Sequence, residues 1–259
     1  MTDDLAGAFE RIAHVRPLLV ALDFDGTLAP LVDDPATSRM VDGADEVLGA
    51  LAGLDGVAVA LVSGRAMNDL HGLSRMPAGT YLVGSHGAER ARVTTFGLDR
   101  DVVRLTDEQA DRLARLGAAA AEIARGRDGV WVETKPTAVV VHTRLAQDRD
   151  ATAAEDEALR LGERLGAGVL HGHDVVEISV LHASKGEALD ALRDELGAAV
   201  VVYAGDDVTD ERAFEALGAD DVTIKVGRGD TRAAYRVADP GELVAGLRRL
   251  TRSGGGPAA

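Results

Sequence analysis

Short apolar runs that each close on polar residues recur along the chain and set its plan. Leu18–Leu22 is continuously apolar, the pattern of a central strand buried on both faces of a parallel sheet. It breaks into Asp23-Phe24-Asp25-Gly26-Thr27. Val57–Val62 is a second such run and closes on Ser63-Gly64-Arg65; Tyr81–Val83 is a third and runs into Gly84-Ser85-His86-Gly87-Ala88-Glu89. Ala199–Ala204 is the most β-like stretch and ends in Gly205-Asp206-Asp207-Val208-Thr209-Asp210-Glu211, with Val222–Val226 following. Helical spacing fills the gaps. Leu5, Phe9 and Ile12 predict a helix over 5–15, and Val47, Leu48 and Leu51 one over 43–52. Residues 68–73 read as a short helix. Ser184-Lys185-Gly186-Glu187 reads as a capping box opening a helix to Leu196, and a further helix runs to Leu217. Asp239-Pro240 starts a last helix, with Asp at the N-cap and Pro at its first position.

The texture changes in the middle of the chain. Thr106-Asp107-Glu108-Gln109 fits a capping box, with Thr106 as N-cap and Gln109 reaching back. Leu113, Leu116, Ala120 and Ile123 supply the apolar stripe of a long helix. Strands are expected at Val102–Leu105, Val130–Lys135 and Thr137–Arg144, a second helix at Asp150–Leu165, and a hairpin of Val169–Leu170 and Val175–Ser179 about Gly172. Strand, helix, two strands, helix and strands make an α+β module that interrupts the β/α alternation on either side. The expected architecture is therefore α/β: a Rossmann-like, doubly wound parallel-sheet core from residues 1–94 and 182–259, with an inserted α+β domain at 95–181. The Gly-rich stretch Ser253–Ala259 is expected to be disordered.

Composition narrows the function. Of 259 residues, 46% are hydrophobic but only 3% aromatic, so the core is built from Val, Leu and Ala. A net charge of −15 argues against binding a nucleic-acid backbone. It also means that an anionic substrate needs a local cation or metal to attract it. There is no cysteine, which excludes thiolate metal sites and cysteine nucleophiles. The acidic N-terminal stretch has no apolar segment of signal-peptide type, and no apolar run approaches the ~20 residues of a membrane span. The expectation is a monomeric cytoplasmic protein with no nucleic-acid or membrane partner.

The strand ends carry the candidate chemistry. In open α/β sheets ligands collect at the carboxyl ends of the strands. Asp23 and Asp25, Ser63, and Asp206, Asp207 and Asp210 all fall at such ends. Side by side, they gather at least four carboxylates, whose repulsion raises their pKa values unless a cation compensates. Mg²⁺ is the natural expectation, because it takes hard oxygen ligands and keeps positions open for phosphate oxygens. Capping of the following helix accounts for one of Asp207 and Asp210, but not for the whole set. Lys185 sits in a first helical turn, where the dipole disfavours a cation, so an anionic neighbour is expected. Ser63, with the amides opening the helix after it, suits a phosphate; a capping serine is the alternative. His171-Gly172-His173 lacks a third zinc ligand in register and reads as a turn. Val226-Gly-Arg-Gly-Asp-Thr-Arg232 lacks dinucleotide spacing and reads as a loop.

Asp23-x-Asp25-x-Thr27, Ser63 after a strand, Lys185, and Gly205-Asp206-Asp207-x-x-Asp210, in that order, resemble the haloacid dehalogenase-like phosphatases. The resemblance implies that Asp23 is a nucleophile forming an aspartyl-phosphate. It makes Asp25 the general acid and then base, with Thr27 supporting the loop and Ser63 and Lys185 holding the phosphoryl group. It also implies Mg²⁺ held by Asp23, the Asp25 backbone carbonyl, Asp206 and one of Asp207 and Asp210. The inserted module takes the place of that superfamily's substrate-reading cap. Ser63-Gly64-Arg65, Gly84–Glu89 and Gly205–Glu211 are similar in finer detail to the trehalose-6-phosphate phosphatases. That likeness implies hydrolysis of trehalose 6-phosphate to trehalose and phosphate, with the substrate contacted by Gly64, Arg65, Ser85, His86, Gly87 and Glu89. In the cap, Glu133, Lys135, His142, Arg144 and Glu177 resemble sugar-contacting strands. Glu133 with Lys135, and His142 with Arg144, share strand faces by period two. Sucrose 6-phosphate, mannosyl- or glucosyl-3-phosphoglycerate, a general hexose phosphate, phosphomutase chemistry and a non-catalytic phosphosugar binder remain alternatives at this level.

Overall fold

The computed structural model describes residues 3–101, 105–181 and 183–253. The expected strand at Val102–Leu105 and the expected disordered tail at Ser253–Ala259 lie largely outside those residues. The chain divides into two compact units, one formed by Met1–Asp101 with Ser184–Ala259 and the other by Val102–Ala183.

The first unit contains, in order, α1 (Asp3–Ile12), β1 (Leu18–Leu22), α2 (Ala44–Ala52), β2 (Val57–Val62), α3 (Met67–Ser74), β3 (Tyr81–Gly84), β4 (Glu89–Thr94) and β5 (Gly97–Arg100). The second holds α4 (Asp107–Ala124), β6 (Trp131–Thr134), β7 (Ala138–His142), α5 (Asp148–Leu165), β8 (Gly168–Gly172) and β9 (Val175–Ser179). The chain then returns to the first unit with α6 (Lys185–Leu196), β10 (Val200–Gly205), α7 (Val208–Ala216), β11 (Val222–Val226), β12 (Tyr235–Val237) and α8 (Pro240–Ser253).

The first unit's sheet has the order β12-β11-β10-β1-β2-β3-β4-β5. Strands β12 through β3 are parallel, and β4 and β5 add an antiparallel edge. Alternate residues of β1 feed two separate cores. Leu18, Val20 and Leu22 pack with Leu5, Phe9, Leu48, Leu51, Leu70 and Leu247 of helices α1, α2, α3 and α8. Leu19 and Ala21 pack with Leu189, Leu192 and Phe214 of α6 and α7 on the other face. This double burial is why β1 and β10 read as continuous apolar runs instead of alternating ones. The strand order reverses between β1 and β10, and there the carboxyl ends of both strands open a crevice for ligands.

The division between the units falls later than the expected residue 94. Glu89–Thr94 and Gly97–Arg100 form a hairpin on β3, with Val83 opposite Arg90 and Val93 opposite Leu98, so both strands belong to the first unit. Their charged sequence at a sheet edge conceals them from a search for apolar runs.

The second unit is a four-stranded antiparallel sheet in the order β6-β7-β9-β8. Val139, Val141, Val176 and Ile178 on one face pack against Leu116, Ala120, Ala154 and Ala158 of α4 and α5. Thr106 caps α4 as expected: its hydroxyl accepts from the Gln109 N–H and Gln109 reaches back to the Thr106 N–H, an arrangement that contributes about 1 kcal/mol. Ser184 caps α6, accepting from the Glu187 N–H at 3.2 Å, but the Glu187 carboxylate meets the Ser184 hydroxyl and not its backbone. Among the described residues no helix is long and apolar enough to cross a membrane.

Candidate active site

The neighbours β10, β1 and β2 bring Asp206, Asp23 and Ser63 to adjacent strand ends. Asp23 is buried immediately past β1, and its N–H donates to the Ala204 carbonyl at 2.9 Å. The carboxylate receives Lys185 Nζ on Oδ1 at 2.9 Å and the Thr27 hydroxyl on Oδ2 at 3.3 Å. Lys185 is only 2% exposed and reaches Asp210 Oδ1 at 2.8 Å as well. This is the anionic neighbourhood that a cation in a first helical turn requires: the helix end delivers Lys185 between two buried carboxylates.

Asp210 is completely buried on α7, and its lone pairs are filled. Oδ1 accepts from Lys185 Nζ and from the Tyr203 hydroxyl at 2.5 Å; Oδ2 accepts from the N–H groups of Asp206 at 2.9 Å and Asp207 at 3.0 Å. Four donors exhaust a carboxylate. Asp210 therefore acts as a strut between strand, helix and loop. Gly205 permits it, since a Cβ there would overlap the Asp210 carboxyl group.

Asp207 departs from the expected ligand set. Its carboxylate turns to the start of α7 and accepts from the N–H groups of Thr209 at 2.8 Å and Asp210 at 3.0 Å. Asp23, Asp206 and Asp210 bring oxygens within 4.8 Å of one another; those of Asp210 are already engaged, which leaves Asp23 and Asp206 with open positions for a cation. Asp207 is outside that group; its Oδ1 caps α7. Asp206 rests close against Gly26, which has φ +75° and no Cβ to exclude the carboxylate. Lys225 of β11, buried, donates to the Asp206 carbonyl at 2.5 Å and lies 3.4 Å from Glu211, fixing the loop from behind.

The electrostatics follow from this packing. Burial raises Asp23 well above the usual carboxylate range; Lys185 opposes the rise and Asp210 adds to it. Burial, then the negative Asp210 and Asp207, push Asp206 up to about 6. Burial also raises Asp210, against the pull of Lys185. Burial alone would lower Lys185, but Asp23, Asp210 and Asp207 hold it above the usual amine range. Burial would raise Asp207, yet Lys185 and the bonds from Thr209 and Asp210 bring it down to about 2. Three raised carboxylates around one lysine carry excess negative charge that a hard divalent cation relieves.

Asp25 points elsewhere. Arg65 grips its carboxylate through Nε at 2.5 Å and Nη2 at 2.7 Å, and Ser38 donates at 2.9 Å. Its side chain is therefore outside the cation cluster, while among the described residues no backbone N–H donates to its carbonyl. Ser63 is buried, and its hydroxyl accepts from the Arg65 N–H at 3.2 Å. The alternative reading of Ser63 as the cap of α3 does not hold, because three residues intervene before Met67.

The Gly84–Glu89 segment is stitched to this loop. Ser85 N–H donates to the Arg65 carbonyl at 2.8 Å, and His86 N–H to the Ser63 carbonyl at 3.0 Å. Ser85 and His86 both have positive φ, and the His86 ring lies where a Cβ on Gly64 would go. Gly87 has φ +115° and passes so close to Ser184 that a Cβ would stand 2.8 Å from its carbonyl. Glu89 accepts from the Ser85 hydroxyl at 2.6 Å and from Met67 N–H at 3.3 Å, capping α3 from a distance. The candidates Gly64, Arg65, Ser85, His86, Gly87 and Glu89 thus form one braced loop pair.

In the second unit, Glu133 pairs with His142 at 2.9 Å and Lys135 with Glu177 at 2.7 Å. Arg144 is a correction. Strand β7 ends at His142, so Arg144 lies in an exposed turn and does not share a strand face with it. His171 bonds Glu155 and His173 contacts Asp174; the expected turn falls one step later than read, since His171 and Gly172 pair with β9 as the end of β8 and the chain reverses at His173-Asp174. Tyr203 and Lys225, which sequence reasoning passed over, stand directly behind the acids. A lysine inside the apolar strand Val222–Val226 was the available signal.

Similarity to known proteins points the same way. Residues 21–240 match the trehalose-phosphatase family, a span enclosing every residue of the site. The chain is 38% identical over 236 residues to an uncharacterised glycosyl hydrolase of Mycobacterium tuberculosis, covering 87% of this chain and 17% of that protein. It is 34% identical over 251 residues to the trehalose-phosphate phosphatase of Mycobacterium marinum, covering 89% of this chain and 60% of that one. The chain thus spans less than two thirds of the length of these relatives. A crystal structure of a trehalose-6-phosphate phosphatase related protein superimposes with a TM-score of 0.72 at 26% identity, covering 91% of this chain and 98% of the other. The chain belongs to the trehalose-phosphatase family.

Proposed function

We propose that the protein is a Mg²⁺-dependent phosphatase that converts trehalose 6-phosphate to trehalose and phosphate, a step of trehalose biosynthesis. The observation that carries this reading is the Asp23 carboxylate, buried at the crevice, ion-paired to Lys185 and facing Asp206. Membership of the family and the likeness to the M. marinum enzyme support the sugar.

The residues divide the work. One Asp23 oxygen attacks phosphorus as the bond to the sugar oxygen breaks, leaving an aspartyl-phosphate. Asp25 gives its proton to the departing alkoxide. It then takes a proton from water, which attacks the same phosphorus and releases Asp23 and inorganic phosphate. Arg65 must release Asp25 for this, and its guanidinium is then free to meet the phosphosugar. Lys185 and the Ser63 hydroxyl hold the phosphoryl oxygens, and Thr27 steadies Asp23. Asp23, Asp206 and the Asp25 carbonyl offer the open oxygens for Mg²⁺, which when bound neutralises charge on the phosphoryl group. Asp210 acts through Lys185 and the loop.

The test is phosphate release from a panel of trehalose 6-phosphate, sucrose 6-phosphate, glucosyl-3-phosphoglycerate and glucose 6-phosphate, with Mg²⁺ and with EDTA. Trehalose 6-phosphate should lead, and EDTA and Asp23→Asn should each abolish release. Equal rates across the panel would overturn the substrate, and full activity in EDTA would overturn the metal.

A further inference from the structure

The loop between β1 and α2 turns one polar residue inward. Residues 31–37 are all exposed and so is Arg39, but Ser38 between them is completely buried. The loop is braced from within. The Asp34 carboxylate accepts from the Ala36 N–H at 3.0 Å and the Asp34 carbonyl from the Thr37 hydroxyl at 2.7 Å. Arg39 donates to the carbonyls of Ala36 at 3.0 Å and Ser38 at 2.6 Å. Beyond it, Val41 N–H ties the chain to the Leu28 carbonyl at 2.9 Å.

A serine in such a loop ordinarily bonds a backbone group within a few positions of itself, as Thr37 does here. The Ser38 hydroxyl instead reaches 13 positions back and donates to Asp25 Oδ1 at 2.9 Å. Arg65 holds both oxygens of the same carboxylate, with Nη2 on Oδ1 and Nε on Oδ2. The two partners differ in what they can do next. Arg65 is a long side chain that must leave for Asp25 to act. Ser38 is short and fixed by a braced backbone. When Arg65 departs, Oδ2 loses its partner among the described residues, while Oδ1 keeps Ser38.

We infer that Ser38 is a positioning residue: it pins Asp25 Oδ1 and so presents Oδ2 to the reacting oxygens. This rests on the phosphatase reading above. Oδ2 gives its proton to the sugar oxygen as the bond from that oxygen to phosphorus breaks. It then takes a proton from the water whose oxygen replaces Asp23 on phosphorus. Proton transfer by a placed side chain contributes about 10²–10⁴-fold, and a carboxyl group freed to rotate forfeits part of that, about tenfold.

The test compares leaving groups. An alkoxide needs the proton of Asp25 to depart, whereas nitrophenolate does not. With full-length protein and Mg²⁺, Ser38→Ala should lower kcat/KM for trehalose 6-phosphate about tenfold and leave kcat/KM for p-nitrophenyl phosphate within about twofold of wild type. Breakdown of the aspartyl-phosphate, followed by rapid quench, should slow about tenfold with either substrate. In an Asp25→Asn background Ser38→Ala should change neither rate further, since Ser38 acts through Asp25. An unchanged kcat/KM for trehalose 6-phosphate, an equal fall on both substrates, or a further fall in Asp25→Asn would overturn the assignment. If Ser38→Ala fails to fold, Ser38→Cys, a weaker donor of similar size, takes its place in each comparison. Hydrolysis of trehalose 6-phosphate that Ser38→Ala leaves unchanged sinks the positioning role and spares the function. Cleavage of p-nitrophenyl phosphate but not of trehalose 6-phosphate by wild type sinks the sugar, and a slowed aspartyl-phosphate breakdown in Ser38→Ala then still upholds the positioning role.

Discussion

Asp210→Asn separates a strut from a metal ligand. The substitution keeps the volume and changes one oxygen into an NH₂ donor. If that donor takes the Oδ2 position, it faces the N–H groups of Asp206 and Asp207, neither of which can reverse. At Oδ1 it faces Lys185, which also cannot reverse, and Tyr203, whose hydroxyl can turn and accept. The second orientation costs less. It still loses the Lys185 bond and leaves that buried ammonium with Asp23 as its close partner. A hydrogen bond to a charged group contributes about 1.5–3 kcal/mol. Relief of repulsion with Asp23 and Asp206 offsets part of the loss. The net cost is about 2–4 kcal/mol, which lowers the melting temperature by roughly 6–12 °C for a chain of this size. The assay is thermal unfolding followed by circular dichroism, in EDTA and in Mg²⁺. A strut costs stability in EDTA. If Asp210 were instead a metal ligand, Asp210→Asn would match or exceed wild type in EDTA and fall behind only with Mg²⁺, and the four-donor account would be wrong.

Other outcomes follow from the same contacts. Tyr203→Phe removes one donor from Asp210 and strands no polar group of its own, so it should cost about 1–2 kcal/mol in urea unfolding. Gly26→Ala places a methyl against the Asp206 carboxylate at φ +75°; it should cost about 1–2 kcal/mol for the backbone alone and reduce the Mg²⁺-induced rise in melting temperature. The pH dependence has a definite sign. Asp206 titrates near 6 in the folded state and near the ordinary carboxylate value when unfolded. The folded protein therefore holds more protons between about pH 4 and 6, and without metal this group's contribution to stability falls as pH rises through that window. Mg²⁺ competes with the proton, so the stabilisation it confers should be larger at pH 7 than at pH 5. Equal Mg²⁺ effects at the two values would contradict the placement of the cation at Asp206.

The parts legible in the sequence were those where one force dominates. The strands β1, β2 and β10 are buried on both faces, so their apolar runs admit no other reading, and the acids at their ends stood out by contrast. The hairpin of β4 and β5 did not. Arg90, Arg92, Asp99 and Arg100 are tolerable on an edge, and edge pairing leaves little hydrophobic signal. Missing it moved the expected boundary from Asp101 to residue 94. Within the site, Asp207 and Asp210 have the spacing of both a cap and a ligand pair. Only the fold shows that Asp207 caps while Asp210, reaching back as the box partner, meets Lys185 and Tyr203. Tyr203 read as one more core residue, since its hydroxyl partner lies seven positions away across a turn. Lys225 was visible in principle: a cation in a strand buried throughout needs a partner, and its partner is the backbone of Asp206.

The central claim is that Asp23 accepts the phosphoryl group of trehalose 6-phosphate. Asp25→Asn removes the proton shuttle and leaves the nucleophile in place, so the second step stalls. Intact-mass spectrometry of that variant, quenched in acid after mixing with trehalose 6-phosphate and Mg²⁺, should show the mass of one added phosphoryl group. Peptide mapping should place it on Asp23, and it should be absent with EDTA and absent in Asp23→Asn/Asp25→Asn. No added mass under conditions where the wild type releases phosphate, or a phosphoryl group on any other residue, would contradict the account.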